Sequence, residues 1–415
     1  SKFFDFDMTI RVLHIFAPNF KERFSGPVHQ WRYYFTQWND PSIEHFVLDV
    51  HSRSMKPAVE AFSFQLRKQN KGLLSQSQRF AWIFQLHRSL ISLHNDYDIL
   101  HVHILWWGSL LLGLWSRLWK KTVLYETVLL DSDTPSGILH ERFGGLKLWL
   151  LKKFHAILAI NDFLAQDYLD HGFSQEQVFL LPNCVDTELF RPATNQEEKR
   201  SLRASLGLPL DAFVLLFVGS LIHRKGFDIL MQAFDIVASH DERFYLLAVG
   251  PSSKDENPSL DEEFLEHVVK ELEGKPASQR FLLPGLIQDR ARLAEFYRAS
   301  DVFVFPSRNE GLPSVLLEAM ATGLVPVVSD LPVFQSIIQP DVNGIIVPGE
   351  DTHALAESLL RVPEDWEMRQ RIGKSARESV LDRHSFQAWQ AQISRFYQTL
   401  PARAKSNKSG YDTPT

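Results

Sequence analysis

Short apolar runs of strand length recur along the chain, separated by stretches of ten or more residues whose apolar positions fall at helical spacing. In the first half the strand-like runs are "TIRVLHIFAP" (9–18), "HFVLDVHS" (45–52), "YDILHVHIL" (97–105), "KTVLYETVLL" (121–130), "AILAIN" (156–161) and "QVFLLPN" (177–183). Strand–helix alternation with such apolar strands predicts a parallel sheet covered on both faces. The segment "RPATNQEEKRSLRASLGLPLDAF" (191–213), with Pro192, a charge run and Pro209, interrupts the pattern and reads as a surface connection. The alternation then restarts in "FVLLFVGSL" (213–221), "FYLLAVGP" (244–251), "RFLLPG" (280–285), "DVFVFPS" (301–307), "VPVVSD" (325–330) and "GIIVP" (344–348), with 226–240 as its first helix. The predicted class is α/β, with two doubly wound, Rossmann-like domains facing a cleft, residues 1–195 and 196–383. Residues 384–400 read as a terminal amphipathic helix, and the polar, Pro/Ser-rich 401–415 are expected to be disordered. No internal sequence repeat is present.

Composition narrows this picture. A length of 415 residues suits two domains. A net charge of −6 offers no basic field to recruit nucleic acid. The single cysteine, Cys184, excludes a disulfide within the chain and a cysteine zinc site, and suits a reducing, cytoplasmic compartment. The first residues lack the pattern of a signal peptide, and Met8 is a candidate start. The apolar stretch 104–119 includes Arg117 and falls short of the ~20 residues of a spanning helix. A helix buried on a sheet is expected there. The alternative is peripheral contact with the inner face of a membrane, because Trp106, Trp107, Trp115 and Trp119 suit a bilayer interface and "GLKLWLLKKF" (145–154) adds lysines. Lys147 and Lys152 lie ~140° apart around such a helix, so these charges do not form one face.

In doubly wound domains ligands gather at the carboxyl ends of strands. The chain has neither G-x-G-x-x-G after a strand nor G-x-x-x-x-G-K-[ST], which argues against dinucleotide oxidoreductases and P-loop NTPases. Instead the strand 213–218 runs into "GSLIHRKG", where Gly219 and Gly226 frame His223, Arg224 and Lys225 just before a helix. Cations in a glycine-framed loop at a helix start suit a phosphate, although solvated loop charges have the same composition. The strand 301–305 runs into "FPSRNEGLPSVLLEAMATG". Pro313 suits a first helical position, and Gly311 lets the backbone approach a ligand. Glu310 precedes that helix and Glu318 lies inside it. Two carboxylates flanking a donor-rich helix start fit a ligand with hydroxyls at both ends and phosphate between, as in a nucleotide sugar. The alternative makes Glu310 a helix-start charge favoured by the macrodipole and Glu318 a surface charge.

Taken jointly, these segments resemble the retaining glycosyltransferases of GT-B fold known as glycosyl transferases group 1, or family 4. "SRNEGLPSVLLEAMATGLVPVV" is similar to the family's E-x7-E signature, "FVGSLIHRKGFDILMQAF" to its G-[RS]-L-x-x-x-K-G segment and "LLPNCVDTELFRP" to its PNGVD region. "LPGLIQDRARLAEFYRASDVFVFPS" and "NGIIVPGEDTHALAESL" match as well, so the resemblance spans almost the whole chain. It implies transfer of a sugar from a nucleotide-diphosphate donor with retention, and a terminal helix that crosses back onto the N-terminal domain. It implies that Glu310 contacts the transferred sugar, Glu318 holds the ribose, Lys225 binds the diphosphate, and backbone groups of Gly311, Leu312 and Pro313 face the ligand. Base contacts would come from Gly250–Pro251 and Gly285–Leu286, and a glycine loop near the phosphates from the region of Gly26.

The sequence departs from the family in three places. Ser220 follows the strand-end Gly219 where an arginine is frequent, so Arg224 is expected to take over that charge. Cys184 stands where glycine is usual. "LYETVLLDSD" lacks the histidine of the family's T-x-H-G stretch, leaving Glu126 or Thr127 to face the site. His101 and His103 share one face of their strand by alternation, but two ligands are too few for a metal. The expected chemistry needs no cofactor and no divalent metal: Arg224, Lys225 and the helix start stabilise the departing diphosphate. The implied acceptor is a hydroxyl of a glycan or of a lipid-linked glycan. Alternatives are another GT-B enzyme, such as a nucleotide-sugar epimerase or a phosphorylase, and a non-catalytic nucleotide-sugar-binding subunit.

Overall fold

The computed structural model describes residues 9–16, 26–49, 54–62, 76–103, 105–128, 133–257 and 260–406. Positions 17–18, 50–52, 104 and 129–130, at the ends of expected strands or the start of the 104–119 stretch, lie outside them, as do residues 1–8 with the candidate start. The chain forms two units, Ser1–Pro182 with Gln390–Thr415, and Asn183–Trp389.

The first unit is built on a seven-stranded sheet: β1 (Ile10–Ile15), β2 (Ile43–Asp49), β3 (Ser54–Pro57), β4 (Ile99–Val102), β5 (Thr122–Thr127), β6 (Ala156–Ala159) and β7 (Val178–Leu180). Its spatial order is β3-β2-β1-β4-β5-β6-β7. All pairs are parallel except β2 with β3. That edge departs from the parallel sheet expected. The connection from Asp49 to Ser54 is too short for a crossover, so the chain must return antiparallel.

The second sheet contains β8 (Phe213–Val218), β9 (Phe244–Val249), β10 (Phe281–Gly285), β11 (Val302–Phe305), β12 (Val325–Ser329) and β13 (Ile345–Val347), in the order β10-β9-β8-β11-β12-β13. Every pair is parallel. In both sheets the order reverses beside the first strand, between β1 and β4 and between β8 and β11. That reversal opens a crevice at the carboxyl ends, because successive crossovers run to opposite sides. Strands β4, β5, β6, β8, β11 and β12 are buried along their whole length, as strands covered on both faces are, with His101 and Glu126 among the polar residues they enclose.

The division at Pro182/Asn183 precedes the 195/196 boundary expected from the proline-bounded connection. The reason is packing. Phe190 is buried in the second unit's core, Val185 forms a β-bridge with Ser385, and Asn183 Nδ2 donates to Leu312 O at 2.7 Å. The terminal helix runs over Phe386–Ser406, so 401–406, expected to be disordered, are helical. Ala402, Arg403, Ala404 and Lys405 are good helix formers that carry it past Pro401. The rest of that tail lies outside the described residues. From Gln390 onward the helix belongs to the first unit. Gln390 Nε2 donates to Asn39 Oδ1 at 2.6 Å, and Phe396 packs edge-on against Phe179.

The apolar stretch expected as one buried helix is instead two short helices, Trp107–Leu110 and Leu112–Trp119. Leu110, Leu112 and Ser116 are buried, whereas Trp107, Leu114, Trp115 and Leu118 are exposed. Among the described residues no helix is long and apolar enough to cross a membrane.

Candidate functional site

At the reversal of the second sheet, three strand ends pack closely through glycine. A Cβ on Gly250 would lie 1.9 Å from Gly219 O, and Gly250 N donates to Gly285 O at 3.1 Å. Pro251 is buried beyond this contact and Leu286 half-buried. After Gly219 and Ser220, which are half-buried at the end of β8, the chain makes one 3-10 turn, His223–Lys225. It then reverses at Gly226, whose φ of 67° is left-handed. A Cβ on Gly226 would sit 1.9 Å from Pro306 O, so only glycine lets this loop lie against the loop that follows β11.

That contact brings the cations to the first glutamate. Lys225 Nζ lies 2.5 Å from Glu310 Oε1, Ser307 Oγ donates to the same oxygen at 2.7 Å, and Arg224 Nη1 is 3.7 Å from it. Arg224 Nη1 also donates to Asn309 O at 2.7 Å. Burial pulls the Lys225 ammonium below its usual range, and the Glu310 charge opposes this. Arg308 braces the arrangement. Its fork donates to Asp228 Oδ1 at 2.7 Å and Oδ2 at 2.9 Å, its backbone N–H to Arg224 O at 2.9 Å, and its pKa rises through the Asp228 bond. The sequence reading missed Ser307, Arg308 and Asp228. A buried serine and a charge beside Glu310 were visible, but their partners are set by the sheet.

The helix spans Ser314–Ala321. Pro313 precedes it, with ψ 120°, rather than occupying its first position: its fixed φ suits a helix, but the chain is still extended there. Gly311, Leu312 and Pro313 are all buried at this helix start. Glu318 is no surface charge. It is 3% exposed, and it accepts from Arg290 Nη2 at 3.0 Å and from Tyr297 OH at 2.9 Å. Burial pushes its pKa up, and Arg290 with Tyr297 pulls the other way. Gly26 belongs to the first unit, where it opens the helix Gly26–Gln37, and residues 23–25 of its expected loop lie outside the described residues.

A second constellation lies at the reversal of the first sheet. His14 on β1 and His101 on β4 are register partners, and His103 stacks on His101 with centroids 4.1 Å apart. His14 Nδ1 meets His103 Nε2 at 2.8 Å, and His14 Nε2 meets His45 Nδ1 at 2.8 Å. Glu126 Oε2 lies 2.7 Å from His103 Nδ1 and accepts from Trp31 Nε1 at 2.7 Å. Burial pulls His14 and His101 well below the usual imidazole range and His45 down to about 3, so these rings are neutral at pH 7. Thr127 is fully buried and bonds within its own loop to Asp133 O at 3.3 Å. The two histidines expected on one strand face therefore belong to a larger set. His14 and His45 sit in separate strands, and only the pairing register reveals them as neighbours.

Residues 198–379 match the family model described as glycosyl transferases group 1, and residues 43–189 that of glycosyltransferase family 4. A D-inositol 3-phosphate glycosyltransferase of Corynebacterium glutamicum is 29% identical over 315 residues, 72% of each chain. One from Saccharomonospora viridis is 36% identical over 200 residues, covering 47% of this chain and 44% of that protein. Among solved structures, sucrose-phosphate synthase from Thermosynechococcus elongatus superposes with a TM-score of 0.71 at 21% identity, covering 95% of this chain and 99% of that one. Anabaena HepE in complex with UDP and glucose superposes with a TM-score of 0.72 at 16% identity, covering 94% and 100%.

Proposed function

We propose, from the premise that this chain belongs to the glycosyl transferases group 1, glycosyltransferase family 4, that it moves a sugar from a nucleoside-diphosphate sugar to an acceptor hydroxyl with retention of configuration. The observation that carries this reading is the convergence of Lys225, Arg224 and Ser307 on Glu310. A diphosphate placed at the glycine-framed loop would draw Lys225 and Arg224 onto its oxygens. Their charge would then stabilise the phosphate as the glycosidic bond breaks, with no divalent metal in that role. Glu310, released from Lys225, would accept from sugar hydroxyls and favour the positive charge growing on the ring. Glu318 spends one bond on each oxygen and keeps lone pairs for two ribose hydroxyls. Gly250–Pro251 and Gly285–Leu286 would border the base. The Anabaena HepE complexes hold UDP, UDP-glucose, or UDP and glucose, which favours a uridine donor here.

The acceptor is proposed to be a glycan on a lipid, met at a membrane surface. Exposed Trp107, Leu118, Leu146 and Trp149 lie on neighbouring helices of the first unit, and exposed Phe143 immediately precedes one of them. Lys147 lies over the Trp107 ring at 5.3 Å and Lys153 over Trp149 at 4.7 Å, pairing cations with aromatic rings as an anionic bilayer interface favours.

Thermal shift with UDP, UDP-glucose, GDP-mannose and ADP-glucose tests the donor site. A donor at 100 times its Kd should add about 2.7 kcal/mol of stability. The reading is wrong if no nucleotide sugar shifts the wild-type melting temperature, or if Lys225→Ala shifts like wild type.

A further inference from the structure

The donor chemistry makes no use of the histidines of the first unit, and their geometry is that of a ligand set. One ring nitrogen from each of His14, His101 and His103 lies within 4.8 Å of the other two. The opposite nitrogens are held from outside: His14 Nε2 by His45, His103 Nδ1 by Glu126, and His101 Nδ1 by the Tyr397 hydroxyl at 2.7 Å. If each held nitrogen carries the proton, the remaining three present lone pairs. Two lone pairs do not approach to the 2.8 Å that separates His14 Nδ1 from His103 Nε2 unless a proton or a cation lies between them. A shared proton satisfies those two but not His101, which is 0% exposed and whose Nε2 has no hydrogen-bond partner among the described residues, the Glu126 carboxylate lying 3.7 Å away. An unmet buried polar atom is costly, and a cation would satisfy all three nitrogens at once.

We propose that His14 Nδ1, His101 Nε2 and His103 Nε2 bind one late first-row divalent cation, with Zn²⁺ the favoured ion. Imidazole nitrogens select this class, whereas Mg²⁺ and Ca²⁺ take oxygen ligands. Carboxylate and imidazole partners on the far nitrogens fix the ring orientations that a metal requires. A tetrahedral site with bonds of ~2.0–2.1 Å needs adjacent nitrogens ~3.3 Å apart. The His14–His103 pair at 2.8 Å must open slightly, and the three nitrogens, which lie within 4.8 Å of one another, must settle to that spacing. Three protein ligands leave the fourth position to water. The site lies where the strand order of the first sheet reverses, the place at which such sheets bind ligands.

The full-length protein, stripped with a chelator, is titrated with Zn²⁺ and with Co²⁺. The expected result is one tightly bound equivalent, a rise in melting temperature, and the intense visible absorption of four-coordinate Co²⁺. His103→Gln and His101→Gln should each weaken Zn²⁺ binding at least a hundredfold. Glu126→Gln, which replaces the carboxylate that orients His103, should weaken it ten- to a hundredfold. His267→Gln, on an exposed helix face, should change nothing. Should the buried variants fail to fold, X-ray absorption at the zinc edge of the wild type decides: three nitrogens at ~2.0–2.1 Å support the site, and a shell made mainly of oxygen overturns it. Absence of stoichiometric binding, or unchanged binding in His103→Gln, also overturns it and leaves a hydrogen-bonded imidazole chain. Nucleotide-sugar shifts measured in chelator report on the donor site separately.

Discussion

Lys225 Nζ and Glu310 Oε1 lie 2.5 Å apart although 85 residues separate them in sequence. Parallel pairing of β8 with β11 brings their loops side by side, and Gly226 lets those loops touch. Both groups are largely buried, and the diphosphate proposed above would compete with Glu310 for the lysine. Lys225→Ala should lower kcat/KM by roughly tenfold to a hundredfold, the worth of a charged hydrogen bond of about 1.5–3 kcal/mol. Arg224→Ala should lose a similar factor. Glu310→Gln should lower kcat more than it changes donor KM. Steady-state kinetics on folded variants reads all three, and wild-type kinetics in Lys225→Ala would remove it from the site.

Glu318 should fail differently. If it holds the ribose, its contact is equal in ground and transition states, so Glu318→Gln should raise donor KM and spare kcat. Glu318→Ala should also cost stability, because it removes the acceptor that Tyr297 OH and Arg290 Nη2 share, by about 1–3 kcal/mol. The melting temperature should then drop ~2–4 °C per kcal/mol. Equal KM in the wild type and Glu318→Gln would restrict the residue to structure.

Gly226→Ala and Gly207→Ala form a matched pair. Their φ values are 67° and 71°, but only at Gly226 does the new Cβ collide, at 1.9 Å from Pro306 O. Gly207→Ala should cost only the left-handed penalty of ~1–2 kcal/mol. Gly226→Ala should cost more and also lose donor binding, since Arg224 and Lys225 move with the loop. Chemical denaturation and nucleotide titration measure the two effects, and equal stability losses would count against the close-contact account.

The Glu198 carboxyl predicts an acid dependence. Bonds from the Thr194 hydroxyl and backbone N–H hold its pKa down to about 2 from the usual 4.5. A depressed folded pKa means stability that is fully present above 4.5 and lost as pH falls from 4.5 towards 2. Glu198→Gln should flatten the stability curve in that window and leave its slope above pH 6 unchanged. Unfolding free energies measured from pH 6 to pH 3 check this.

The exposed aromatic face of the first unit should bind anionic vesicles. Leu118 is 70% exposed and Trp149 50%, and Lys153 over the Trp149 ring adds positive charge, whereas Lys147 is paired with Glu141. Flotation with phosphatidylserine-containing liposomes at low salt should recover the protein. Leu118→Asp with Trp149→Asp should abolish recovery without changing the melting temperature. Failure of the wild type to float would dismiss the membrane surface.

Much of the architecture is legible without coordinates, because side-chain periodicity is a local property. Predominantly apolar runs mark strands buried on both faces, and the glycine-framed loop after β8 and the Gly311 loop after β11 mark strand ends. The sequence also placed Arg224, Lys225, Glu310 and the helix start after it on such loops. Local pattern failed where a distant partner decides. The linker boundary moved because Phe190 is buried in the second unit's core, and the helices of 104–119 are only half buried because one of their faces is exposed. The sequence by itself determined the order of elements, the two doubly wound halves and the charged loops. Only the tertiary structure decided that Glu318 is sealed between Arg290 and Tyr297, that Arg308 forks onto Asp228, and that His14, His45, His101, His103 and Glu126 meet. The physical reason is register: parallel strands far apart in sequence align at one offset, and that offset, which no local spacing records, sets which side chains become neighbours.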